Sequence, residues 1–207
     1  ADFARFPPFD TGPLPPLPQL LSLRRTETGC RLETALLSRR GCHSLWCRRC
    51  SGQHTGFDAL LSDRIELNIA DRLILPNLRM EGEREACTYL DSAGRCSIHS
   101  FRPGMCRLFP LGRFYEEQGF RYFLQVHECP KPDKGKIKIR KWLDLPDLKR
   151  YEQFVCGWHD YLKEQKKKVE ADPEQIKPVS MELLRRFYIM PYDLDGDFYE
   201  QFYERMR

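Results

Sequence analysis

Apolar positions recur with different periods along the chain, and each period predicts an element. Phe57, Leu60 and Leu61 have the spacing of a short helix, and Ile65, Leu67 and Ile69 then alternate as in a half-buried strand. Ile74-Leu75-Pro76-Asn77-Leu78 reads as a second strand or sheet edge broken at Pro76, because proline cannot donate to a ladder. Leu111–Tyr115 and Phe120–Val126, joined by Glu116-Glu117-Gln118-Gly119, predict a β-hairpin. Basic and apolar residues alternate through Lys136-Ile137-Lys138-Ile139-Arg140-Lys141-Trp142, the pattern of a strand with one wet face. A long helix is predicted from Asp147 to about Glu170, with Lys166-Lys167-Lys168 near its negative end and Asp172-Pro173 as the stop. Ser180 reads as the N-cap of a second helix, Met181–Ile189. After a break at Pro191-Tyr192-Asp193, the spacing of Phe198, Phe202 and Met206 predicts a last amphipathic turn or two.

The first twenty residues carry prolines at 7, 8, 13, 15, 16 and 18 and read as an extended, mobile arm. Residues 1–54 as a whole are rich in proline, arginine and cysteine with little periodicity, an atypical and disorder-prone composition. Residues 55–207 have the pattern of one domain. The expected architecture is α+β, with a cysteine-rich metal centre, a β-hairpin and C-terminal helices.

The chemistry lies in the cysteines. Cys87, Cys96, Cys106 and Cys129 are separated by 8, 9 and 22 residues. Turn sequences precede two of them, Asp91-Ser92-Ala93-Gly94 before Cys96 and Arg102-Pro103-Gly104 before Cys106, and Pro130 follows Cys129. Thiols placed at bends can converge, and four thiolates suit zinc or an iron–sulfur cluster. The predicted hairpin gives the 22-residue gap a mechanical reason, because it returns the chain from Cys106 to Cys129. Cys42, Cys47 and Cys50 form a second, compact group, spaced C-x4-C-x2-C, with Cys30 upstream. His43 and His54 lie nearby but read as surface residues. Cys156 falls inside the long helix and reads as a packing residue. Arg102 and Arg107 flank Cys106, placing cations beside its thiol, with Asp63 and Glu66 as alternative partners for them. Phe101, Phe109, Phe114, Phe120, Tyr122 and Phe123 would give such a site a dry shell.

Composition narrows the setting. Hydrophobic residues make up 41% and charged residues 31%, which fits a globular domain, and no apolar run approaches the ~20 residues of a membrane span. The N-terminus has no basic patch followed by an apolar stretch, so a cytoplasmic location is expected. Nine cysteines in that setting favour metal over disulfides. The net charge of +4 does not call for nucleic acid, and the basic runs read as solvated faces.

Four phrases occur in order: Ala86-Cys87-Thr88-Tyr89-Leu90, Gly94-Arg95-Cys96-Ser97-Ile98-His99, Phe101-Arg102-Pro103-Gly104-Met105-Cys106-Arg107-Leu108-Phe109-Pro110, and His127-Glu128-Cys129-Pro130. In these the chain resembles the bacterial YkgJ-like cysteine-cluster family, whose domain is taken to chelate zinc or iron and which is related to flagellin lysine N-methylases. The family opens with a C-x2-C-G-x-C-C box. This chain has no adjacent cysteine pair, so the resemblance leaves ligand number and nuclearity open.

The resemblance implies metal binding through Cys87, Cys96, Cys106 and Cys129, with Cys42, Cys47 and Cys50 completing the site. The expected cofactor is an iron–sulfur cluster or iron or zinc ions. The expected function is that of a metal-binding or redox-sensing protein. A metal-dependent enzyme acting on a protein substrate, such as a lysine N-methyltransferase, is the alternative. Against the commonest class of methyltransferase, the chain lacks a glycine-rich strand–turn–helix.

Overall fold

Helix α1, Phe57–Asp63, turns Phe57 and Leu60 inward and leads directly into strand β2, Ile65–Ala70. The structure is a computed structural model that describes residues 30–31, 57–83, 86–99, 102–125, 137–193 and 195–207. A two-residue turn at Asp71 and Arg72, both at positive φ (48° and 67°), reverses the chain into β3, Leu73–Leu78. Such a turn matches the twist of paired antiparallel strands. β2 and β3 pair from Ile65–Leu78 to Ala70–Leu73, and a short strand β1, Cys30–Arg31, pairs with the far end of β3 to give the order β1-β3-β2.

Proline does not break β3. Pro76 lies opposite Leu67 on β2, inside a ladder that runs unbroken from Ile65–Leu78 to Ala70–Leu73. The strand forms where expected, but its burial does not alternate: only its two ends, Ile65 and Ala70, are buried. Leu67 and Ile69 stand out, at 40% and 71% exposure.

Two further antiparallel pairs follow. β4, Met80–Glu81, pairs with β5, Ala86–Cys87. After helix α2, Gly104–Leu108, the predicted hairpin forms with β6 at Leu111–Tyr115 and β7 at Phe120–Leu124. Gly119 supplies the positive φ (86°) that its turn needs.

The basic alternating stretch is not a strand. Ile139–Leu143 forms a short helix, α3, in which Leu143 is buried and Ile139 and Trp142 are half-buried. Spacing at i, i+3 and i+4 outweighed the alternation to which Ile137, itself exposed, belongs. The long helix α4, Leu148–Ala171, is capped by Asp147, whose side chain accepts from the Arg150 N–H at 3.0 Å.

The second helix starts earlier than Ser180. A short 3-10 turn, Pro173–Gln175, passes into α5, Ile176–Leu184, which widens into a π-turn at Arg185–Ile189. Pro178 is accommodated because it lies in the first turn, where no intrahelical acceptor is owed an N–H. Ser180 is fully buried mid-helix, and its Oγ accepts the backbone N–H of Ile74 at 2.9 Å. It therefore serves a strand rather than a helix end. The last helix, α6, Phe198–Met206, is capped by Asp197. One hydrophobic cluster joins α1, β2, β3 and the hairpin to the helices, so the elements are compatible with an α+β fold.

Candidate metal centre

Cys87 ends β5, pairs with Met80, and its carbonyl accepts the Leu90 N–H at 2.9 Å. The chain then makes a loop closed by an isolated pairing of Leu90 with Cys96. Asp91 builds this loop, since its Oδ1 accepts from the N–H groups of both Ala93 and Arg95 at 2.9 Å. Gly94 supplies a φ of +72°. The Tyr89 carbonyl accepts from the N–H and the hydroxyl of Ser97, at 2.8 and 2.9 Å. Cys87 and Cys96 thus stand at the two feet of one short loop, with Tyr89 between them.

Tyr89 reports on that neighbourhood. Its ring is buried, and burial pushes its pKa up to about 12, against the nearby Arg64 charge and with the help of Asp63 and the Cys87 and Cys96 thiols. The Arg64 guanidinium lies 5.3 Å from the ring centroid, donates to the Thr88 carbonyl, and pairs with Asp63 at 3.1 Å.

Cys106 is held on α2, whose first turn is set by Pro103 accepting from the Arg107 N–H at 3.1 Å. Arg107 is buried. Arg102 places its Nη1 3.0 Å from His99 Nε2, and because guanidinium only donates, that ring nitrogen is the acceptor. His99 is a residue the sequence reading passed over, although it follows Cys96 by three positions. Its Nε2 faces Arg102 rather than standing open to a metal ion. Of the carboxylates expected to compete for the arginines, Asp63 pairs with Arg64 and Glu66 accepts from Asn68 at 2.7 Å.

The thiols of Cys87, Cys96 and Cys106 are half-buried and pack against the hydrophobic cluster. Beyond Cys106 the hairpin base closes where Pro110 accepts the Gln125 N–H at 2.9 Å, four residues after Cys106 and four before Cys129. Two of the six rings expected in a shell, Phe120 and Tyr122, pack within the hairpin instead. Tyr115 stacks on His159 of α4 at 3.7 Å, while Phe120 packs edge-on against Tyr115 and Tyr122. Those rings seat the hairpin on the helix.

Cys42, Cys47, Cys50, Cys129 and Phe101 lie outside the described residues, and of Cys30 only the strand pairing is described. Among the described residues no three His, Cys, Asp or Glu side chains are gathered in a way that could hold a metal ion. The donors present are soft thiols in a partly dry setting, chemistry that suits zinc or iron. Cys156 is half-buried on α4, and burial pushes its thiol pKa up, the state of an unreactive thiol. No helix among the described residues is long and apolar enough to cross a membrane.

Residues 41–135 match the family model CxxCxxCC, described as a "putative zinc- or iron-chelating domain". This is the cysteine-cluster resemblance carried by the four phrases above, and it holds over that segment. No curated protein gives a significant match to the chain, and neither does any solved structure.

Proposed function

We propose that the chain is a metal-binding protein that holds zinc or iron, as single ions or as an iron–sulfur cluster, through Cys87, Cys96, Cys106 and Cys129. One observation carries the reading. The segment matching the zinc- or iron-chelating family takes in Cys42, Cys47, Cys50, Cys87, Cys96, Cys106 and Cys129 and leaves out Cys30 and Cys156. The two excluded cysteines are the ones without a place in the ligand set.

The described backbone supports the grouping. Cys87 and Cys96 share one Asp91-built loop, and Cys106 and Cys129 flank one hairpin base. Because three described thiols are not yet a gathered set, Cys129 and the Cys42, Cys47, Cys50 group are assigned the completing role. A bound ion would supply cross-linking between segments far apart in sequence, and its binding energy would appear as folding energy.

The test is metal stoichiometry on protein purified without oxygen, by elemental analysis and absorption spectrum. Broad visible bands identify an iron–sulfur cluster, and a colourless zinc-loaded sample identifies zinc. Cys106→Ser and Cys129→Ser should each lose most of the metal, while Cys156→Ser should keep it. Full stoichiometry in the first two variants would overturn the ligand assignment.

A further inference from the structure

Strand β2 ends one side of the three-stranded sheet, and its outer edge is open. The order β1-β3-β2 gives it a strand neighbour on one side only among the described residues. In an antiparallel ladder, successive residues turn their N–H and C=O groups alternately towards the partner and away from it. Two bonds fix which residues of β2 turn away. The Arg79 N–H donates to the Arg64 carbonyl at 2.9 Å, so the pair just before Ile65–Leu78 is a hydrogen-bonded one. The Ile74 N–H leaves the ladder for the Ser180 Oγ at 2.9 Å, so Ile69–Ile74 is not. Both bonds give the same alternation. Ile65, Leu67 and Ile69 therefore point their backbone groups outward, while Glu66, Asn68 and Ala70 point theirs at β3. Pro76 agrees, since its place opposite Leu67 asks for no N–H towards β2.

Side-chain exposure marks the same place. Leu67, Asn68 and Ile69 are the exposed residues of β2, with Leu67 at 40% and Ile69 at 71%. Leu67 and Ile69 share a face with half-buried Ile74, which stands opposite Ile69. Natural edge strands are shielded from pairing by lysine, proline or a bulge. β2 has none of these, and its one charge, Glu66, accepts from the Asn68 side chain at 2.7 Å on the other face.

The open run is complementary to itself. Laid antiparallel against a copy, with a two-fold axis at Asn68, Leu67 meets Ile69 of the copy and Ile69 meets Leu67. Both positions carry outward N–H and C=O groups, so each pair exchanges both hydrogen bonds. Asn68 meets Asn68, amide against amide, and Glu66 meets Ala70, so no like charges face each other along the strand. The Leu67 and Ile69 side chains of the two copies gather on one face beside each Ile74.

We propose that β2 is a dimerisation edge, at which two copies of this chain pair β2 with β2 about Asn68 into one continuous sheet of order β1-β3-β2-β2-β3-β1. The occupant is a second copy because the exposed run matches itself in length, polarity and the side on which its backbone groups lie. So short an edge makes a dimer of the weak, reversible kind. No cysteine takes part, so the interface stands apart from the metal-binding reading.

Sedimentation of the full chain over a dilution series tests it, with reductant and chelator present so that neither a disulfide nor a metal ion can bridge copies. A monomer–dimer equilibrium is expected. Asn68→Asp and Asn68→Lys each set like charges face to face on the axis and should each weaken the dimer roughly tenfold. An equal mixture of the two variants should recover it, because opposite charges then meet. Amide exchange on the wild type gives a readout that needs no variant. The Leu67 and Ile69 amides should slow as concentration rises, whereas the Asn68 amide, bonded to β3 at every concentration, should not change. A wild-type chain that stays monomeric overturns the proposal, as does a dimer that both Asn68 variants form as tightly as wild type. So does a dimer in which the Leu67 and Ile69 amides gain no protection. A monomer whose Leu67 and Ile69 amides slow only when an extended apolar peptide is added identifies a foreign strand as the occupant and overturns it too.

Discussion

The helical region after Leu148 and the cysteine-bearing region before Gln125 are built on different principles, although they share one core. In the helical region large rings meet across α4, the π-turn and α6. Phe202 lies 4.7 Å from Phe154, 5.1 Å from Phe187 and 5.4 Å from Trp158, and all four are almost fully buried. Each end is finished, with Asp147 and Asp197 as caps and Arg150 reaching from α4 with two 2.7 Å bonds to Asp197. The cysteine region has elements of two to seven residues, held by turns such as that of Asp91 and by backbone ladders. Burial drives the first region and local hydrogen bonding shapes the second. A region of the second kind has little area to spend on its own stability, and it is the kind that a metal cross-link would stabilise most.

The sharpest way to break this comparison is to damage the helical region in the absence of metal. Phe202→Ala removes a fully buried ring from the centre of the aromatic set, and a loss of about 3–5 kcal/mol is expected. Denaturant unfolding of the chelator-treated variant measures it. A loss below about 1 kcal/mol would mean that the helices do not carry the fold as argued.

A smaller effect is expected at the joint between the regions. The Ile74 N–H of β3 donates to the Ser180 hydroxyl of α5. Ser180→Ala leaves that donor without its acceptor inside the fold, at a cost of about 1–3 kcal/mol. Amide exchange at Ile74 should quicken more than exchange within α4. Equal quickening everywhere would show that the contact is not a joint.

The same contrast explains what was legible in the sequence. α4, the hairpin and α6 were readable because each presents a long or clean period with its own punctuation: Asp147 and Asp172-Pro173, Gly119, and the Phe198–Phe202–Met206 spacing. Errors fell where a tertiary partner decided the outcome. Ser180 resembles an N-cap until the Ile74 N–H is seen to need it, and Pro76 resembles a break until its ladder with β2 is seen to run through it. Lys136 to Trp142 alternates, yet Ile139, Trp142 and Leu143 suffice for one helical turn against the core. For the site, the bend before Cys96 was visible in the turn residues, whereas Arg102-Pro103-Gly104, expected as a turn, leads directly into the helix α2 that carries Cys106. The pairing of Leu90 with Cys96, the engagement of His99 by Arg102 and the burial of Arg113 were not, because each depends on a side chain or strand that spacing does not reveal.

The finest probe of the comparison lies at the seam, where Glu152 on α4 faces the hairpin. Burial raises its carboxyl above the ordinary carboxylate value, and the nearby Arg113 charge only partly offsets this. The folded protein therefore holds that proton more tightly than the unfolded chain does. The resulting stability is fully present below the ordinary carboxylate value and is lost as pH rises through the raised one. Glu152→Gln keeps a neutral side chain at every pH and removes this dependence. Relative to wild type, the variant should gain thermal stability as pH climbs from about 3.5 to about 7, a window that leaves the thiols protonated. Metal-free protein is the sample to use, so that ligand protonation plays no part. The expected gain is the smallest of the three effects, because the group is only half-buried. Its sign is what matters. A gain that grows with pH means that the hairpin is seated against a carboxylate that folding would rather keep neutral. A difference that shrinks with pH would mean that the Arg113 charge dominates at Glu152, and the seam would then be an ion pair between the two regions rather than a burial contact.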